Sequence, residues 1–119
     1  MQKNTSEILL KAINTAIIEK KGENIVILDL SKIENAVSKY FIITTTNSKV
    51  HANTLAVFIE DFVRKNLKEK PWQQEGFENC EWILMDYVDI VVHIFQENTR
   101  KFYRLEQLWS DAQQLQLNN

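Results

Sequence analysis

Cys80, Asp86, Asp89 and His93 are the side chains whose types and spacing come closest to a reactive constellation in this chain. Two carboxylates three positions apart could hold a divalent cation or divide the work of acid and base. A thiol, an imidazole and a carboxylate supply a nucleophile, a base and an orienting acid. The local pattern serves neither chemistry well. "EWILMDY" and "DIVVHIF" read as two strands separated only by Tyr87 and Val88, so Asp86 and Asp89 bracket a turn instead of lining one strand. In the register of that turn Asp86 faces Asp89, Leu84 faces Val91 and Trp82 faces His93. Cys80 then falls opposite Phe95, several strand positions from Asp86, and nothing suggests an oxyanion hole. His51 belongs to a different predicted element from His93, and Cys80 is the only cysteine, so no zinc site or disulfide framework is expected. We expect no catalytic residue, no metal and no cofactor. Cys80 reads as a small, partly buried apolar residue and His93 as a hydrogen-bonded sheet histidine.

The elements that position these residues follow from periodicity. Between Asn4 and Lys21, Ile8, Leu9, Ala12, Ile13, Ala16 and Ile17 recur at helical spacing, with an Asn4/Glu7 capping box at one end and Gly22 as the left-handed residue at the other. "NIVILDL" (24–30) is apolar on both faces, as an inner strand requires. "SKIENAVS" reads as a connection with a short helical turn, and "YFIITTTN" (40–47) as a second strand. Ser48 is placed to cap a long helix reaching about Asn66, with Val50, Leu55, Val57, Phe58, Phe62 and Val63 as its apolar positions. Pro71 stops that helix, "WQQEGFENC" reads as a polar connection, and the hairpin follows. A last helix starts near Glu97, with Phe102, Leu105, Leu108 and Trp109 as its stripe, and residues 112–119 read as a frayed tail. The order is helix, strand, strand, helix, strand, strand, helix. The crossover helix permits parallel pairing and the hairpin forces antiparallel pairing, so an α/β domain with a mixed β-sheet packed with helices is expected over residues 1–119.

The hairpin's two faces differ. Ile83, Met85, Tyr87, Ile90, Val92 and Ile94 form one, with the makings of a core, while Trp82, Leu84, Asp86, Asp89, Val91, His93 and Phe95 form the other. Opposed aspartates are unfavourable by up to about 1 kcal/mol, so a cation should relieve them. It could come from Arg100 or Arg104 of the last helix, or from another molecule. No Lys or Arg occurs from Pro71 through Thr99, where Glu75, Glu78, Glu81, Asp86, Asp89 and Glu97 all fall. An acidic field beside aromatic residues suits a basic protein partner, though a solvated acidic surface has the same composition.

The formal charge of −2 argues against broad nonspecific nucleic-acid binding, which needs a cationic face. "RKNLKEK" (64–70) is basic, but such a run ending a helix also complements the helix dipole. No apolar run approaches the roughly 20 residues that span a bilayer. The start, "MQKNTSEILLKAIN", lacks a signal peptide's apolar stretch, so a cytoplasmic protein is expected.

The stretch "EWILMDYVDIVVHIFQENTRKFYRLEQLWSDA" resembles the ribosomal silencing factor family, RsfS, also called Iojap. Trp82, Asp86, Tyr87, Asp89, the Val92-His93-Ile94-Phe95 run, Arg100, Phe102, Tyr103, Leu105, Glu106, Leu108, Trp109, Asp111 and Ala112 match its pattern in order. "ILDLS", "YFIITTTNS" and "HANTLA" are similar to the family's first two strands and the start of its central helix, so the resemblance covers nearly the whole chain. It implies a nucleotidyltransferase-like fold without transferase chemistry. Asn47-Ser48 agrees, since it lacks the glycine of the Gly-Ser loop that a metal-dependent nucleotidyltransferase carries. The resemblance further implies binding to ribosomal protein L-fourteen on the large ribosomal subunit, a block on joining of the small subunit under nutrient limitation, and a homodimer in isolation.

On this reading the partner-binding residues are Trp82, Asp86, Tyr87, Asp89 and His93, joined by Tyr103, Glu106 and Trp109 from the last helix. Trp109 and Phe102 could equally be core. A large-subunit assembly factor using the same surface, or a nucleotide-handling enzyme of the same fold, are the alternatives. Val88 departs from the family's usual glycine in "DYGD". A β-branched residue tolerates positive φ poorly, so another turn type or a loop one residue wider is expected, and the face assignment depends on it.

Overall fold

The computed structural model describes residues 5–117. Helix α1 (Thr5–Glu19) buries Leu9, Leu10, Ile13, Ala16 and Ile17. Asn4, the expected cap, lies outside the described residues. The helix ends in a Schellman motif, with Lys21 N–H donating to Ile18 and Gly22 N–H to Ile17. The left-handed residue is Lys21 (φ 65°), not Gly22. Gly22 is required for a different reason: a Cβ there would lie 2.5 Å from Ile17 Cγ2 and 2.7 Å from Thr44 Oγ1.

Strands β1 (Glu23–Asp29) and β2 (Tyr40–Thr46) pair antiparallel through two successive turns over residues 30–36. Helix α2 (Lys49–Leu67) follows, its first turn capped by Ser48 Oγ, which accepts from His51 N–H at 3.0 Å. Its buried side chains are Ala52, Leu55, Ala56, Ile59 and Val63. Val50 and Val57, expected in the stripe, are exposed, and Phe58 and Phe62 are half-buried. Ala52, Leu55, Ala56, Ile59 and Val63 share one helix face, and the helical repeat sets Val50 and Val57 on the opposite one.

"WQQEGFENC" contains a short strand, β3 (Gln73–Glu75), where only a connection was expected. Strands β4 (Trp82–Asp86) and β5 (Ile90–Gln96) form the hairpin, and β5 pairs parallel with β2. The C-terminal helix is broken into α3 (Glu97–Tyr103) and α4 (Leu105–Leu108) by Arg104, whose φ is 51°. The supposed frayed tail contains β6 (Gln113–Leu115), which pairs antiparallel with β1. Residues 118–119 lie outside the description.

The six-stranded mixed sheet has the order β3-β4-β5-β2-β1-β6. Helices α1 and α2 cover one face, over Ile42, Ile83, Met85, Tyr87, Ile90, Val92 and Ile94. The opposite face holds a second cluster of Leu28, Leu30, Phe41, Ile43, Val91, Phe95 and Leu105. Strand β5 is thus buried on both sides along nearly its whole length, which accounts for the unbroken apolar run in "DIVVHIF".

The hairpin turn falls one residue later than expected. Tyr87 N–H donates to Ile90 O at 2.8 Å, and the central residues are Val88 and Asp89. Asp86 therefore faces Val91, Leu84 faces His93, and Trp82 faces Phe95. Asp86 and Asp89 are not opposed. Because each cross-strand partner moves by two positions, the side chains of both strands keep their expected faces; Asp89 does not, because the later turn takes it out of the strand and directs it toward α1. Val88 adopts φ 75° despite its branched Cβ, and Asp89 N–H bonds to Tyr87 O across it at 3.0 Å, in a γ-turn. Asp86 Oδ1 steadies the turn by accepting from Val88 N–H at 2.8 Å.

Candidate functional site: an open sheet face with an aromatic wall

The second sheet face is covered only in part. Leu105 and the half-buried Trp109 pack over β1, β2 and β5, with Trp109 meeting Phe41 edge-on at 5.8 Å between ring centres. Toward β4 and β3 the cover ends. Cross-strand pairing there sets Trp82, Leu84 and Asp86 on one face with Gln73 and Glu75. Leu84 and Asp86 are half-buried and Glu75 is exposed.

An aromatic row borders this surface. Trp82 stacks on Phe95 at 4.9 Å and meets Tyr103 at 4.8 Å, and Tyr103 meets Phe102 edge-on at 5.0 Å. Phe102 is 78% exposed and Leu108 is 72% exposed. Tyr103 is 49% exposed, so α3 and α4 together present three large apolar side chains to solvent. Both Phe102 and Leu108 were expected in the apolar stripe of the last helix. The left-handed break at Arg104 moves them outward, and the sequence offers no glycine there to announce it.

Of the residues expected to meet a partner, Trp82, Asp86 and Tyr103 share this open surface, and Trp109 stands half-buried behind it. Asp89 turns the other way: its Oδ2 accepts from Ser6 Oγ at 2.7 Å and lies 4.0 Å from Lys39 Nζ. The cation beside it is Lys39, neither Arg100 nor Arg104. Tyr87 is buried under α2, where desolvation, and after it the Glu60 and Glu69 charges, push its phenol well above the ordinary range. Its hydroxyl has no partner among the described residues.

His93 lies beneath the aromatic row, only 4% exposed. Its Nδ1 accepts from Trp82 Nε1 at 3.1 Å, so a neutral ring carries its proton on Nε2. Burial lowers its pKa to about 4, which keeps it uncharged near neutral pH. His93 thus fixes the indole of Trp82 from below.

Glu106 is held internally by Arg100, which donates to its Oε2 from Nη2 at 2.7 Å and Nε at 3.0 Å. Arg100, Lys101, Arg104, Glu97 and Glu106 line a cleft of about 520 Å³. Its charges are largely spent on one another, through Arg100–Glu106 and Lys101–Glu97. Cys80 is buried, with its thiol directed at Phe77 O. Among the described residues, no three His, Cys, Asp or Glu side chains cluster as metal ligands would, and no helix is long and apolar enough to cross a membrane.

The chain matches the family model described as "Ribosomal silencing factor during starvation" over residues 3–119. It is 37% identical to the ribosomal silencing factor RsfS of Bacillus subtilis over 105 residues, covering 87% of this chain and 86% of that one. The RsfS of Halalkalibacterium halodurans is 32% identical over 114 residues, covering 96% and 95%. A crystal structure from Bacillus halodurans superposes with a TM-score of 0.80 at 29% identity, over 93% of this chain and 99% of that one. One from Chromobacterium violaceum gives 0.82 at 27% identity, over 95% and 92%. With the family model spanning almost all of its length, the chain belongs to the ribosomal silencing factor (RsfS) family.

Proposed function

We propose that this protein represses translation by occupying the large ribosomal subunit, through ribosomal protein L-fourteen, so that the small subunit cannot join. The observation that carries the proposal is the open face of β4 and β3, with Trp82, Leu84 and Asp86 bordered by Tyr103 and Phe102, and with Leu108 exposed on α4. Aromatic side chains give a partner large, rigid contact area at low entropic cost, and such anchors are worth about 2 kcal/mol or more each when desolvated. Asp86 and Glu75, in a segment without Lys or Arg from Pro71 through Thr99, supply the negative field that a basic ribosomal protein would meet. Steric occlusion asks nothing more of the protein, and no catalytic step enters the reading.

The expected contact set divides by position. Trp82, Asp86 and Tyr103 touch the partner, joined by Phe102 and Leu108, while His93 holds Trp82, Glu106 engages Arg100 of α3, and Trp109 packs on Phe41 behind the face. Tyr87 packs the hairpin under α2, and Asp89 ties its turn to α1. The family resemblance supports a nucleotidyltransferase-like ancestry and action on cytoplasmic ribosomes, and the exposed aromatic face is also a surface that a second copy of the chain could cover as a homodimer. In the test, Trp82→Ala and the Phe102→Ser, Leu108→Ser pair are compared with the unaltered protein for cosedimentation with large subunits. Both variants should stay folded and lose at least tenfold in affinity, the factor that 1.4 kcal/mol represents. Undiminished binding by both would place the contact elsewhere.

A further inference from the structure

We propose that Arg100 is the positioning residue of the aromatic face, a polar strap that fixes α3 against the sheet and so presents Phe102 and Tyr103; this deepens the docking function above and rests on it. Helix α3 has no buried side chain, yet it carries the most exposed aromatic residue of the chain. Apolar packing alone therefore leaves it weakly held. Its start is secured by Gln96, whose amide donates to Thr46 Oγ1 at 3.0 Å and Ser48 O at 2.9 Å. One turn later the attachment is Arg100.

Its guanidinium gathers three elements. Nη1 donates to Asn24 O of β1 at 2.8 Å and to Thr45 Oγ1 of β2 at 2.7 Å, while Nε and Nη2 grip Glu106 of α4. The Arg100 side chain is only 12% exposed and that of Glu106 27%, so the bonds are sheltered from competing water. Two backbone irregularities make this convergence possible. The register of β1 slips between Glu23 and Val26, with Asn24 at φ 52°, which frees the Asn24 carbonyl from the ladder. Arg104 at φ 51° breaks the C-terminal helix, which turns Glu106 back toward Arg100, six residues earlier; a continuous helix would carry them apart. Left-handed backbone is unfavourable at non-glycine residues, and here two such residues serve one guanidinium. A lysine ammonium lacks the planar fork and cannot serve acceptors on β1, β2 and α4 at once.

If only a fraction of molecules holds α3 in place, apparent affinity falls by that fraction. The loss then appears in the association rate, because a complex once formed makes its normal contacts. Removing a contact residue would instead raise the dissociation rate.

The test compares the full chain with Arg100→Lys, using Thr45→Val and Thr45→Ser as graded controls. Amide exchange and Tyr103-to-Trp82 ring proximity by NMR are measured without ribosomes, and binding kinetics with purified large subunits. For Arg100→Lys, exchange over residues 97–103 should rise about tenfold or more while β2 and β5 stay protected, as local rather than global opening requires. The Tyr103–Trp82 contact should weaken, and association should slow by about tenfold with dissociation within about twofold. Thr45→Ser should behave as the unaltered protein and Thr45→Val should fall between. Unchanged exchange and ring proximity in Arg100→Lys would overturn the strap. Loosened α3 with unchanged association would overturn its role in positioning while leaving the docking function intact. Failure of the unaltered protein to bind large subunits would count against the docking function itself, and the exchange and NMR results would still decide the strap.

Discussion

Replacing Val88 by glycine should stabilise the protein. Val88 sits at φ 75° in the hairpin turn, a conformation that is of order 1–3 kcal/mol unfavourable for a non-glycine residue, with a branched Cβ at the upper end. Glycine removes that strain. Against it stands the greater freedom of glycine in the unfolded chain, roughly 0.5–1 kcal/mol. The Val88 side chain is 60% exposed, so its lost burial amounts to about half a kcal/mol at most. The difference is a gain of about 1 kcal/mol, or about 3–5 °C in Tm for a domain of this size. The hydrogen bond from the residue-88 N–H to Asp86 Oδ1 is a backbone contact and survives the change. Urea titration and thermal melting of the variant beside the unaltered protein measure the effect, with Val88→Ala, which keeps a Cβ but loses the branch, gaining less than glycine. A Val88→Gly variant less stable than the original, or Val88→Ala more stable than Val88→Gly, would refute a left-handed residue 88.

Three other expectations are independent of that turn. His93 has its pKa lowered by burial to about 4 against 6.5 in the unfolded chain, so the unfolded state binds the extra proton as pH falls between these values; the stability present above pH 6.5 should drop by roughly 3 kcal/mol on approach to pH 4, and His93→Gln should flatten that part of the urea-midpoint profile. Tyr87→Phe removes a buried hydroxyl without a partner among the described residues and should leave stability unchanged or raise it by about 1 kcal/mol in urea titration. Leu115→Asp should cost about 1–3 kcal/mol by placing a charge where β6 packs on the core, with a fall in the urea midpoint as the readout.

Much of the scaffold was legible because its residues have strong local preferences. Ile13, Ile17, Leu55 and Val63 mark helix faces by spacing, Ser48 announces α2 by its capping chemistry, and the aromatic and β-branched run 40–46 cannot easily be anything but strand. The faces of the two hairpin strands were readable even though the turn was placed one residue early, because that error moves partners by two positions and leaves the alternation intact; Asp89, drawn into the turn, was misplaced. What escaped the sequence depends on tertiary partners. Gln73–Glu75 and Gln113–Leu115 are polar and short, and become strands only because β4 and β1 offer them edges. Arg104 gives no local sign that it will take a left-handed conformation. The spacing of Phe102 and Leu108 therefore predicts one apolar stripe, which the broken helix does not form. Arg100 suggested only a counter-ion for the aspartates; its acceptors on Asn24, Thr45 and Glu106 are assembled by the fold.

The most direct test of the central claim is a subunit-joining assay in which purified large ribosomal subunits are incubated with this protein, small subunits are added, and the mixture is resolved by sedimentation. The account predicts that the protein travels with the large subunit, that joined ribosomes are lost in proportion to its occupancy, and that Trp82→Ala restores joining. Joined ribosomes forming undiminished while the large subunits carry the protein would contradict occlusion, and absence of the protein from the large-subunit fraction would contradict the binding on which it depends.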